Sequence, residues 1–167
     1  MPIVAPEDLK RRLGRGERLL GLDLGEKTIG LAISDPGLAV ASPLATMRRG
    51  KFTADAAALE RLAAERRVGA LVLGLPVSMD GSEGPRCQSV RQFAANLLAR
   101  ADRLIALWDE RLSTVAVTRA MLEADLSRRK RGEIVDQLAA AYILQGLLDR
   151  LARLPADPPS DPGAAPA

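Results

Sequence analysis

Three acidic residues sit where a charge is costly. Asp23 lies inside the apolar run LLGLDL, flanked by Gly21 and Gly25. A carboxylate inside a buried strand costs several kcal/mol unless a cation, a metal or hydrogen bonds compensate it. Glu110 follows the apolar run LIALW, one residue after Asp109. Asp136 shares a helical stripe with Ala140, Ile143 and Leu147, so it faces inward. Each has an ordinary alternative. Asp23 could cap a turn or pair with Arg. Asp109 and Glu110 could close a strand end with Arg111. Asp136 could complement a helix dipole, worth about 0.3–1 kcal/mol.

The rest of the composition narrows the chemistry. The 167 residues include no His and one Cys, Cys87. Ser-His-Asp and Cys-His nucleophiles need an imidazole and are excluded. A Cys/His zinc site lacks its ligands, and no disulfide forms within one chain. What remains is carboxylate, Lys/Arg and hydroxyl chemistry. Carboxylates gathered without His or Cys repel one another unless a hard cation lies between them. Mg²⁺ or Mn²⁺ takes such oxygen donors. Two ions about 3.5–4 Å apart are a known arrangement for phosphodiester hydrolysis.

The elements that must position these acids follow from patterning. Residues 18–24, 28–34 and 39–47 read as strands joined by short turns, hence antiparallel. The third is bent at Pro43. Residues 54–67 have helical composition and spacing. Residues 70–75 (ALVLGL) are the wholly apolar strand of a parallel sheet centre. Residues 86–101 form an amphipathic helix and 104–108 another strand. Alternation puts Leu104, Ala106, Trp108 and Glu110 on one face and Asp109 on the other. Ser113 is a suitable N-cap for a helix to about 124. Residues 127–132 (SRRKRG) read as a basic loop, and 133–153 as a long buried helix whose first turn carries Asp136. The expectation is an α/β mixed sheet, three antiparallel strands then two parallel ones, with helices on both faces. The domain spans 19–153, after a partly helical extension (1–18). The Pro/Ala-rich tail, 154–167, is expected to be disordered.

The formal charge of +3 permits a polyanionic partner. No stretch is long and apolar enough to span a membrane, and the first residues lack the apolar core of a signal peptide. A cytoplasmic protein without a membrane partner is expected.

Four segments together resemble the YqgF (RuvX) family, Holliday-junction-resolvase-like pre-16S rRNA nucleases. They are LGLDLGEKTIG at 20–30, GLP at 74–76 with MDGSE at 79–83, DERLST at 109–114, and the stretch from Val135-Asp136 to Gln145. The resemblance runs in order over about 19–148. It implies an RNase H-like fold and a metal-dependent nuclease. Asp23, Glu110 and Asp136 would be the catalytic acids and would hold Mg²⁺ or Mn²⁺, with two ions expected. The implied process is maturation of the 5′ end of pre-16S rRNA; the implied alternative is resolution of branched DNA.

Candidate phosphate contacts are Lys27 after the first strand, Arg86 at a helix start, Arg111 beside Glu110, and the run Arg128, Arg129, Lys130 and Arg131. Lys27 could equally be a turn residue, and Arg86 and Arg111 could equally pair with carboxylates. The glycines at 74, 81 and 84 are read as loop geometry, Asp80 and Glu83 as loop acids, and Cys87 and Trp108 as packing residues. A non-catalytic nucleic-acid-binding factor would need only the basic run. A phosphotransferase of the actin-like type would need two domains, and the length suggests one.

Overall fold

Tight turns dictate the first half of the sheet. The computed structural model describes residues 3–113 and 128–155, with the backbone alone over 128–133. Strands β1 (Arg18–Leu24), β2 (Thr28–Ser34) and β3 (Ala41–Arg48) form an antiparallel meander. β4 (Val68–Leu75) then pairs parallel to β1, and β5 (Leu104–Asp109) parallel to β4. The order across the sheet is β3-β2-β1-β4-β5. This is the mixed sheet expected from the sequence.

The first two strands fall on their expected residues. β3 starts two residues later than the alternation suggests, because Asp35 holds the chain before it as a loop. Its carboxylate accepts hydrogen bonds from the amides of Gly37, Ala39 and Val40. Pro43 is tolerated because β3 is an edge strand, and the register slips beside it, between Leu31 and Ala32.

Among the described residues four α-helices lie against the sheet: α1 (Leu9–Arg12), α2 (Phe52–Arg66), α3 (Pro85–Arg100) and α4 (Arg128–Arg153). Alternation sorts their partners. Leu20, Leu22, Leu24, Ile29, Leu31, Leu71 and Leu73 pack under α2 and α3 with Leu59, Val90 and Phe93. Leu19, Ala32, Ala70, Val72, Ala106 and Trp108 pack under α4 with Ala140, Ile143, Leu144 and Leu147. Each buried Leu or Ile contributes about 1.5–3 kcal/mol. Aliphatic side chains supply nearly all of this core.

The N-terminal extension is docked on the domain. Val4 N–H donates to Ile105 O at 2.8 Å, and Leu9 is wholly buried. Glu7 meets Arg150 of α4 at 3.4 Å.

Two expectations about the last helix are corrected. The basic run 128–131 is helical, not a loop. The helix is also not buried all round, since Tyr142, Asp149 and Arg150 are exposed. The helix expected after Ser113 and most of the expected disordered tail lie outside the described residues. Among the described residues no helix is long and apolar enough to cross a membrane.

Candidate active site

The expected acids lie in a row along the carboxyl edge of the sheet. Asp23 is the next-to-last residue of β1 and only 5% exposed. Its Cα pairs with that of Gly30 in β2. On its other side β4 runs in register, Leu22 opposite Leu73, so Gly74 flanks Asp23 there. Gly30 pairs on with Thr46 and Gly74 with Trp108. One row across the sheet therefore reads Thr46, Gly30, Asp23, Gly74, Trp108.

The two glycines are sockets. A Cβ on Gly30 would lie 2.0 Å from the Asp136 carbonyl oxygen and 3.0 Å from Asp136 Cβ. A Cβ on Gly74 would lie 2.6 Å from Glu110 Oε1 and 2.5 Å from Ile143 Cδ1. A side chain at Gly30 would meet backbone, and one at Gly74 would meet the ends of Glu110 and Ile143, so α4 lies close on β2 and Glu110 folds back over β4. Asp136 thus stands over Gly30 on one side of Asp23, and Glu110 over Gly74 on the other. Gly74 was expected to shape a loop. It lies within β4, and its missing side chain makes room for Glu110.

Gly21 extends the same logic along β1. A Cβ there would lie 2.9 Å from Leu144 Cβ and 3.0 Å from the Ala140 carbonyl oxygen. Helix α4 is therefore seated against bare backbone at Gly21 and Gly30, and its position relative to Asp23 is fixed.

Asp136 lies about two turns beyond Arg128 and not in a first turn. Dipole effects fade within the first turn, so the macrodipole does not account for Asp136. Its Oδ2 accepts a hydrogen bond of 2.7 Å from the Thr28 hydroxyl, at the start of β2. The sequence reading missed Thr28. The signal was present: a hydroxyl opens the strand that pairs with the Asp23 strand.

The parity of β5 separates its neighbouring acids as expected. Glu110 turns to the α4 face in a short 3-10 turn, Glu110–Leu112. Asp109 instead pairs with Arg111, Nη2 to Oδ2 at 2.7 Å, and also accepts the Arg111 amide. The Arg111 hydrogen bond holds the Asp109 carboxyl below the usual carboxylate range. Of the two readings of Arg111, the structure displays the carboxylate pair. Asp80 accepts from Ser82 and Glu83 pairs with Arg91, as loop acids do.

Lys27 is exposed in the turn joining β1 to β2, and Arg86 is exposed at the start of α3. Both lie on the sheet edge that carries Asp23. The backbone of 128–131 lies about 7–12 Å along the helix axis from Asp136.

The donor set is all oxygen, which suits a hard divalent cation and no soft one. As placed, however, the carboxylates form a row and not a cluster. Among the described residues no group of three or more His, Cys, Asp or Glu is gathered closely enough to hold an ion. The Thr28 bond draws the Asp136 carboxylate toward β2.

Comparison with known proteins decides the lineage. The profile of the RuvX family, described as Holliday junction resolvase, matches residues 17–150. The chain belongs to the RuvX family. A relative from Paramagnetospirillum magneticum, named "Putative pre-16S rRNA nuclease", is 64% identical over 149 residues, covering 89% of this chain and 96% of that one. One from Methylocella silvestris with the same name is 54% identical over 155 residues, covering 93% and 96%.

Among solved structures, Thermus thermophilus RuvC in complex with a Holliday junction substrate aligns with a TM-score of 0.51 at 12% identity, over 82% of this chain and 97% of that one. The yeast mitochondrial Holliday junction resolvase aligns at 0.50 and 12%, over 86% and 82%. At such identity the likeness shows the RNase H-like fold that RuvX and these resolvases share. The RuvX match spans all of the row, from Asp23 to Asp136.

Proposed function

We propose that this protein is a metal-dependent nuclease that hydrolyses phosphodiester bonds in maturation of the 5′ end of pre-16S rRNA, in the cytoplasm. The observation that carries the reading is the row: Asp23 between two side-chain-free positions, with Glu110 over one and Asp136 over the other. The names of the relatives at 54–64% identity support the RNA substrate.

Asp23, Glu110 and Asp136 would hold Mg²⁺ or Mn²⁺. Asp23, at the centre of the row, would be one of the ligands of such an ion. A bound ion of this kind lowers the pKa of water and offsets charge on a phosphoryl oxygen. The chain's own part is positioning. Gly21 and Gly30 set the depth of α4, and Thr28 orients one Asp136 oxygen and leaves the other for a ligand. The apolar packing under the row gives the carboxylates a surrounding in which charge interactions exceed those in water. Lys27, Arg86 and the run Arg128 to Arg131 are the phosphate contacts that hold the substrate. Arg111, engaged by Asp109, serves the site edge as a structural pair.

The test is cleavage of a labelled 16S precursor with its 5′ extension, beside a labelled four-way DNA junction, in Mg²⁺ and in Mn²⁺. The reading predicts metal-dependent cleavage of the RNA at a defined position. Preferential cleavage of the junction would move the assignment to branched DNA. Salt-sensitive binding without cleavage of either would make the protein a binding factor.

A further inference from the structure

Beside the row, on the opposite face of the same strand end, lies a cleft of about 190 Å³. Leu24 and Val90 form its floor. The Gly25-Glu26 turn and Arg49 form one wall, and Arg86 and Ser89 of α3 the other. At roughly 30 Å³ per water, it has room for several waters and hence for a phosphate group.

Arg49 is held ready for an anion. Its Nη1 donates to the Gly25 carbonyl at 2.7 Å, and its guanidinium carbon lies 5.5 Å from the centre of the Phe93 ring. Phe93 is fixed edge-on by Phe52, with ring centres 5.5 Å apart. Most of the five guanidinium donors remain for a ligand. A guanidinium already fixed loses little further entropy on binding. Among the described residues no carboxylate pairs with Arg49 or Arg86. Glu26 is the one acid on the lining and is exposed on the rim.

We infer that this cleft is a phosphate subsite for the substrate strand, with Arg49 and Arg86 as its cations. It rests on the nuclease reading for the identity of the ligand, a nucleic-acid backbone. Asp23 and Leu24 are adjacent and point to opposite faces of β1. A strand lying across the Gly25–Lys27 turn places one phosphate over the carboxylate row and another in the cleft, with Lys27 between them. The lining offers cations and a hydroxyl but little to read a base edge, so the contact positions the strand without choosing its sequence.

The experiment is equilibrium binding of a labelled RNA hairpin with a single-stranded 5′ flank, in EDTA, across a salt series. Hydrolysis is not needed, so failure here is separable from failure of the nuclease reading, which cleavage by Asp23→Asn reports. Among the described residues Arg86 makes no hydrogen bond for Arg86→Ala to lose. It is expected to weaken binding about tenfold at low salt and lower the log–log salt slope by about 1. Arg49→Ala is expected to act alike, and Glu26→Gln to tighten binding up to about threefold. Arg66→Ala, on the opposite sheet edge, is expected to leave binding unchanged. Wild-type affinity and slope in both Arg86→Ala and Glu26→Gln would overturn the proposal. So would saturable calorimetric binding of inorganic phosphate that Arg86→Ala abolishes while RNA binding stays intact, for the cleft would then serve a free phosphate.

Discussion

The Thr28 hydroxyl donates to Asp136 Oδ2 across 2.7 Å, tying the first residue of β2 to helix α4 over 108 positions of sequence. It is a charge-assisted bond at the rim of the carboxylate row. Removing such a bond costs about 1.5–3 kcal/mol where its geometry matters.

Thr28→Val keeps the shape and deletes the donor. It is expected to lower kcat about 10–100-fold with little change in KM, as loss of a positioning bond does. Thr28→Ser restores the hydroxyl and is expected to recover most of the activity. Steady-state kinetics of the two variants checks this, and equal losses in both would contradict a role for the hydroxyl.

Gly30→Ala and Gly74→Ala separate two kinds of crowding. The first drives a methyl against the Asp136 backbone at 2.0 Å, which cannot yield without moving α4. Its cost is expected to reach or exceed about 1–3 kcal/mol, the usual range for overpacking. The second meets the end of Glu110 and the Cδ1 of Ile143, both of which can swing away. Gly74→Ala should therefore lose less stability but still lose activity, because Glu110 is displaced. Urea unfolding beside cleavage rates distinguishes them.

The legibility of this site divides along the same line. Asp23 stood out because a charge inside LLGLDL violates strand patterning, and the apolar stripe of Asp136 marked its inward face. Alternation put Glu110 and Asp109 on opposite faces, and the family resemblance singled out Glu110. The sheet was legible too, since short turns force antiparallel neighbours and ALVLGL can only lie centrally. The sockets at Gly30 and Gly74 were not. What a missing side chain makes room for depends on residues brought near by folding, Asp136 for Gly30 and Glu110 for Gly74. Thr28 carried a local signal, a hydroxyl opening the strand beside Asp23, but its partner Asp136 is brought near only by folding. The helical state of 128–131 was missed because a dense run of cations reads locally as solvated loop, yet Arg and Lys are good helix formers.

The Asp109–Arg111 pair gives a pH signature. Arg111 lowers the Asp109 pKa from its ordinary 3.8. The folded value lies below the unfolded one, so the stabilisation is complete above that range and is lost as pH falls through the folded pKa. Both partners are partly exposed, so solvent screens the pair and its contribution is small. Urea midpoints of wild type and Arg111→Met are expected to differ at pH 7 and converge toward pH 3. A difference that persists into acid would show that Arg111 acts through packing instead.

Cys87 is wholly buried at the start of α3, and burial raises its thiol pKa. The thiolate is the reactive form. A colorimetric disulfide reagent is expected to leave the native protein unlabelled at pH 8 and to react fully in denaturant. Rapid labelling of the native protein would contradict the packing of α3 described here.

With no His in the chain, no imidazole titrates near neutrality. A rise of cleavage rate with pH is therefore expected to shift when Mn²⁺ replaces Mg²⁺, since the titrating group would be a metal-bound water or the occupancy of the metal. A midpoint near 6.5 that stays fixed between the two metals would oppose the carboxylate mechanism.

The central claim is that Asp23, Glu110 and Asp136 act as one catalytic row. Its most direct measurement is the single-turnover cleavage rate of the 16S precursor in Mg²⁺ by wild type, Asp23→Asn, Glu110→Gln and Asp136→Asn, with folding matched by circular dichroism. The account predicts a loss of roughly a hundredfold to a thousandfold or more in each variant while RNA binding is retained. A folded Asp23→Asn or Asp136→Asn variant that cleaves as fast as wild type would contradict it.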